Sequence, residues 1–140
     1  MAEAIARRLT AKTRIGALEF RSAGTSTIPG LPASEGAIRA AQRHGLTLQE
    51  HVSIPLSREL IDWADLILTM GPSHLLRVLE LGGEEKSALL GAYSQGTGDG
   101  MEPAVPDPYG GNDEVYEATF LTLEAMVTAA LDRLSGEEER

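Results

Sequence analysis

The chain has 140 residues, 42% hydrophobic and 24% charged, with a formal net charge of −9 and no cysteine. That length makes one domain able to bury a core, while the missing cysteine excludes disulfides, thiolate metal sites and thiol redox chemistry. The negative field disfavours nucleic-acid backbones. No apolar run approaches a membrane span and the first residues lack the apolar centre of a signal peptide, so neither a membrane nor a nucleic acid is an expected partner and the cytoplasm is the expected compartment.

Ile5 and Leu9 lie one helical repeat apart, beside Ala2 and Ala6, which predicts a helix from residue 1 to about 13 with neither an N-cap nor a loop before it. Residues 17–22 alternate as a strand does, and 23–30 hold turn formers. Ser34 suits the cap of a helix that buries Ala37, Ile38 and Ala41 and stops at Gly45. Ser57 suits a shorter one with Leu60, Ile61 and Ala64 facing inward. Asp65–Met70 is a continuous apolar run, the pattern of a strand buried on both faces. Gly71 and Pro72 end it, Ser73 is the expected cap of the next helix, and Gly82-Gly83 closes that helix.

Residues 87–92 are a weaker strand candidate, and residues 93–111, rich in glycine and proline, read as one long loop. Asn112 is placed to cap a long final helix, with Phe120, Leu123, Val127, Leu131 and Leu134 as its apolar stripe and residues 136–140 as a solvated, frayed end. The expected total is three strands and five helices in a single domain spanning 1–140. Helices alternating with short apolar strands predict an α/β domain with a parallel sheet.

Several segments carry a resemblance to the low-molecular-weight protein tyrosine phosphatases. Ser22-Ala-Gly-Thr25 is similar to the family's segment after its second strand, and Ala64–Met70 to its third strand. Arg43-His-Gly45 with His51-Val-Ser-Ile-Pro-Leu56 resembles its His-Gly and His-x-(Ser/Ala)-x-x-Leu pattern. Pro106-Asp-Pro-Tyr-Gly-Gly111, followed by Val115-Tyr116, resembles the loop that supplies the general acid, and Met1–Ala4 resembles the helix turn just after the phosphate loop. The Gly110-Gly111 pair leans toward the branch near the bacterial protein arginine phosphatases. The resemblance implies a three-layer α/β/α fold with a parallel sheet, in which the family's first and internal strand is missing from these residues.

The implied reaction is hydrolysis of protein phosphomonoesters through a phosphocysteine, with no cofactor. It needs a thiolate of low pKa, an arginine that grips the phosphoryl oxygens, and an acid that protonates the leaving oxygen. By the resemblance Asp107 is that acid, Tyr109 contacts the substrate, and Ser22 and His51 support the phosphate loop. The strand, the cysteine and the arginine of the Cys-x5-Arg loop have no counterpart, so the sequence offers no nucleophile and this chain is expected to be inactive as written. Read on their own, Asp107 is a turn residue between prolines, Tyr109 a packed aromatic, and Ser22 and His51 structural. Trp63 reads as packing, His44 and His74 as helix-end or surface groups, and no His/Asp/Glu grouping has the spacing of a metal site.

Three readings follow. The chain is a shortened view of a phosphatase acting on a phosphorylated protein or small phosphomonoester; or it is a complete, non-catalytic relative that binds an anion or a partner; or it is a decayed fragment. Loss of an internal strand exposes sheet edges, for which self-association is the expected remedy. The related arsenate reductases depend on several cysteines, which argues against that branch.

Overall fold

The computed structural model describes residues 1–11, 18–96 and 104–138. Among them the chain forms α1 (Ala2–Ala11), α2 (Glu35–Arg43), α3 (Arg58–Trp63), β1 (Ile67–Thr69), α4 (Pro72–Glu80), a 3₁₀ turn (Glu84–Lys86), β2 (Ser87–Leu89), α5 (Leu90–Ser94) and α6 (Asp113–Glu138). β1 and β2 pair in parallel, Leu68 opposite Ala88. Parallel neighbours cannot be joined by a tight hairpin, and α4 makes the crossover between them. α1, α2 and α5 pack on α6, whereas α4 packs on both strands. The result is a three-layer α/β/α arrangement, as expected.

The core sits where α6 meets α1, α2 and α5. Its largest fully buried side chains are Phe120 and Ile5. The predicted stripe on α6 is borne out for Phe120, Leu123, Val127 and Leu131, while Leu134 is half-buried. Ser34, Ser57 and Asn112 cap α2, α3 and α6 by accepting from Ala37, Leu60 and Val115. Gly45 follows α2 at φ +78°, a left-handed conformation that costs an ordinary residue the clash of its Cβ.

α2 lies on α6 through small residues. Gly36, Ala37, Ala40 and Ala41 form its buried face, whereas Ile38 is only partly buried. A Cβ on Gly36 would stand 2.3 Å from Cε2 of Tyr116, itself buried, so the ring would have to move. Alanine ordinarily gains about 1 kcal/mol over glycine inside a helix. Here overpacking reverses the sign, and Gly36→Ala is expected to lower unfolding stability by about 1–3 kcal/mol in urea titrations.

Charged pairs edge the same interface. Arg39 meets Asp113 at 2.9 Å and Arg43 meets Glu117 at 3.0 Å. His44 Nε2 lies 2.6 Å from Glu117 Oε1, and since an ionised carboxylate only accepts, the ring nitrogen donates. The imidazole also stacks on Phe120, centroids 4.2 Å apart and planes 8° from parallel. The hydrogen bond from His44, then that from Arg43, holds the Glu117 carboxyl below its ordinary pKa. A depressed folded pKa gives stability that is present above the unfolded pKa and lost as pH falls through the folded one. Glu117→Gln is therefore expected to flatten the acid limb of the stability curve, below roughly pH 4.5, and to leave its slope near neutrality unchanged. Thermal melts from pH 3 to 7 measure it.

Several expectations need correction. Residues 18–22 form no strand, and only an isolated parallel bridge, Gly24 with Pro55, lies near them. A strand exists through its ladder, and no neighbour stands beside this segment among the described residues; residue 17 lies outside them. Residues 12 and 13, the predicted end of the first helix, also lie outside. β1 is shorter than residues 65–70 and buries only Thr69 fully, because one side of it is open. Gly71, not Ser73, is the N-cap of α4, since Pro72 takes the first helical position, where its missing N–H costs nothing.

The predicted strand at 87–92 ends at Leu89, and the chain turns into α5, which also takes the start of the predicted loop 93–111. Residues 97–103 of that loop lie outside the described residues. α6 runs through Gly136 to Glu138, where a frayed end was expected; residues 139 and 140 lie outside the described residues. The described residues thus hold two strands and six α-helices rather than three and five.

Candidate functional site

Between β1 and residues 20–25 the sheet layer is open. The opening is a cleft of about 400 Å³, reached by α1 and α6 from one helical layer and by α3 and α4 from the other. Ala2 and Ala6 face it from α1, Leu60 and Ile61 from α3, and Ala130 and Leu134 from α6. Leu66, Ile67 and Leu68 line it and are half-buried for that reason.

Polar groups stand on its lining. Ser22 Oγ donates to Glu3 Oε1 at 2.8 Å, and Arg7 Nε meets the other oxygen of Glu3 at 3.2 Å. Arg7 also donates to the Phe20 carbonyl at 2.6 Å, so the first turns of α1 are tied to residues 20–22. The Arg21 guanidinium lies 4.2 Å over the Trp63 ring, a cation–π contact. His74, in the first turn of α4, lines the cleft near Met70. Burial lowers the pKa of the Met1 amine, with the charge of Glu3 pulling the other way.

Of the four candidate site residues, Asp107, Tyr109, Ser22 and His51, only Ser22 lines this cleft. Asp107 is exposed, and its Oδ1 accepts from the Tyr109 N–H at 3.0 Å, an Asx turn. Pro108 accepts from Gly111 at 2.8 Å, and Gly110 between them has φ +84°, which explains a glycine there. Val105, buried, donates to the Met70 carbonyl at 2.7 Å. That bond fastens the Asp107 segment to the carboxyl end of β1, the end at which open parallel sheets place their ligands. Tyr109 is 81% exposed. His51 lies on the loop before α3, its N–H donating to Leu48 at 3.1 Å.

Glu3, Arg21, Trp63 and His74 join the cleft although the sequence did not mark them for it. Their separation along the chain hides a grouping that only the tertiary fold makes. Among the described residues no group of three His, Asp or Glu side chains is placed to hold a metal ion. Nor is any helix among them long and apolar enough to cross a membrane.

A family model described as low molecular weight phosphotyrosine protein phosphatase matches residues 1–140. The chain belongs to this phosphatase family. The low-molecular-weight protein-tyrosine-phosphatase Wzb of Escherichia coli K12 is 32% identical over 123 residues, covering 86% of this chain and 80% of that protein. A protein-arginine-phosphatase of Geobacillus stearothermophilus is 31% identical over 136 residues, covering 96% and 88%. The crystal structure of a YwlE mutant from Bacillus subtilis superposes with a TM-score of 0.83 at 28% identity, over 99% of this chain and 88% of that one. The low-molecular-weight phosphatase fold is thus shared along nearly the whole chain, near relatives of both the tyrosine and the arginine kind. Yet these 140 residues contain no cysteine to serve as a thiolate nucleophile.

Proposed function

We propose that these residues are the body of a protein phosphatase, built to hydrolyse phosphomonoesters on proteins in the cytoplasm and catalytically inert without a nucleophile from outside the 140. The observation that carries this reading is the family match over residues 1–140 of a sequence that has no cysteine. The single domain is then N-terminally short relative to the family by a strand and a phosphate loop. In the complete reaction a thiolate forms the S–P bond as the ester P–O bond breaks, and Asp107 protonates the leaving oxygen. Water then attacks phosphorus, gives its proton to the Asp107 carboxylate, and the P–S bond breaks.

Tyr109, exposed beside Asp107, is suited to contact the substrate group. Ser22 and His51 take the role of supporting the loop, and without that loop Ser22 instead holds Glu3 of α1. Relatives of both the tyrosine and the arginine kind, together with the Gly110-Gly111 pair, leave phosphotyrosine and phosphoarginine as the two substrate classes to compare.

The test is direct. The purified 140-residue protein is expected to release phosphate from p-nitrophenyl phosphate, a phosphotyrosine peptide and phosphoarginine no faster than buffer does. Turnover that titrates with protein and survives repurification would overturn the inert reading. The intact mass of the protein from its native cells bears on the short N-terminus: a mass matching these 140 residues would leave a natural phosphatase relative without a nucleophile, and the reading would then pass to binding.

A further inference from the structure

Asp107 sits in a loop whose shape is set by its backbone. At one end Val105 is fastened to the Met70 carbonyl, and at the other Asn112 caps α6 by accepting from Val115 at 3.0 Å. Between them Pro108 accepts from Gly111 at 2.8 Å, which closes a four-residue turn with Tyr109 and Gly110 at its centre. Gly110 takes φ +84°, the value a type II turn requires at its third residue. Gly111 is confined differently: a Cβ there would stand 2.9 Å from both the Pro108 carbonyl oxygen and Cβ of Val115. One glycine answers to conformation and the other to space.

The turn aims one N–H. That of Tyr109 donates to Asp107 Oδ1 at 3.0 Å. An oxygen that accepts an N–H is the carbonyl oxygen of the protonated acid, so the proton sits on the other oxygen, Oδ2. We propose that Gly110 is a positioning residue for the acid step, its left-handed φ fixing the turn that holds Oδ1 and leaving Oδ2 to deliver the proton. As the ester P–O bond breaks, its electron pair passes to the leaving oxygen, which takes the proton from Oδ2. The electrons of that O–H bond stay on the carboxylate. The inference rests on the phosphatase reading for its reaction, but the contact it invokes is measurable in the 140-residue protein without turnover.

A residue with a Cβ is strained at this φ, asparagine less than most. A Cβ at position 110 would have nothing within 4 Å, so alanine and asparagine differ there by conformational preference and not by a clash. The Tyr109 amide proton reads the contact. In the 15N-labelled 140-residue protein it is expected to move downfield as Asp107 ionises over pH 3 to 7, since a carboxylate is the stronger acceptor. Asp107→Asn should abolish the movement. Gly110→Ala should lose at least about half of it, and Gly110→Asn should retain it.

The kinetic arm uses the same variants with a strand and a Cys-x5-Arg loop placed ahead of Met1. On phenyl phosphate, whose leaving oxygen needs a proton, Gly110→Ala is expected to lower kcat/KM by about tenfold or more. On p-nitrophenyl phosphate, whose leaving oxygen needs it far less, the fall should stay under about threefold. Gly110→Asn should keep both near wild type, whereas a merely structural loss would lower both substrates alike. The proposal is overturned if Gly110→Ala keeps the full amide titration, if the wild-type Tyr109 amide does not respond to Asp107, or if the two substrates fall equally. An extended wild-type protein without turnover would count instead against the phosphatase reading, and the amide titration would still decide whether Gly110 holds Asp107.

Discussion

Phe120→Ala should lower unfolding stability by about 3–5 kcal/mol, the range for removing a large aromatic from a core. Phe120 has no exposed surface, and it stands at the centre of the helical layer where α6 meets α1 and α2. Two effects add at this position. The lost ring leaves a void that the helices packed around it cannot fully close, and it strips His44 of its stacking partner. His44 then holds Glu117 with less restraint, so the ionic edge between α2 and α6 weakens as well. For a chain of this length such a loss corresponds to a fall of roughly 10–20 °C in melting temperature. Phe120→Leu, which keeps most of the volume, is expected to cost less than half as much. Calorimetry on the three proteins decides it, and a fall of under about 3 °C for the alanine variant would show that the hub lies elsewhere.

That hub was legible in the sequence, because the stripe on α6 repeats through five residues and a helical period needs no tertiary information. The serine caps at Ser34 and Ser57 were legible for a similar reason: each acts within one turn of its own chain. Misreadings occurred where a local pattern admits two structures. The apolar run at 87–92 satisfies a buried strand and a buried helix equally, and the chain uses both, β2 and then α5. Residues 18–22 alternate correctly for a strand but need a partner that alternation cannot supply. Pro72 did carry a local signal that favoured Gly71 over Ser73 as the cap.

The site was legible differently. Nothing in the spacing of Asp107, Tyr109, Ser22 and His51 marks them as chemical groups, and their roles came only from the resemblance. The cleft was not legible at all, since Glu3, Arg21, Trp63 and His74 come from four separate segments. An open slot with a free sheet edge in an acidic protein is a conflict between solubility and an unpaired backbone.

The largest effect should come from restoring the missing chemistry. If a strand followed by a Cys-x5-Arg loop is added directly ahead of Met1, the extended protein should hydrolyse p-nitrophenyl phosphate, and the 140-residue chain should not. A well-placed acid contributes only about 10²–10⁴-fold and cannot act without the nucleophile it assists. The size of the Asp107 effect should therefore depend on the background. In the 140-residue chain Asp107→Asn should change nothing measurable in turnover. In the extended protein it should lower kcat by about 10²–10⁴-fold, and most for substrates whose leaving oxygen most needs a proton. The bond between Val105 and Met70 secures this loop from the Val105 side, so Asp107→Asn should leave the fold intact and kcat should report chemistry alone. Matching melting curves for the two extended proteins would establish that control. With the fold so controlled, an undiminished kcat in the asparagine variant would remove Asp107 from the role of acid.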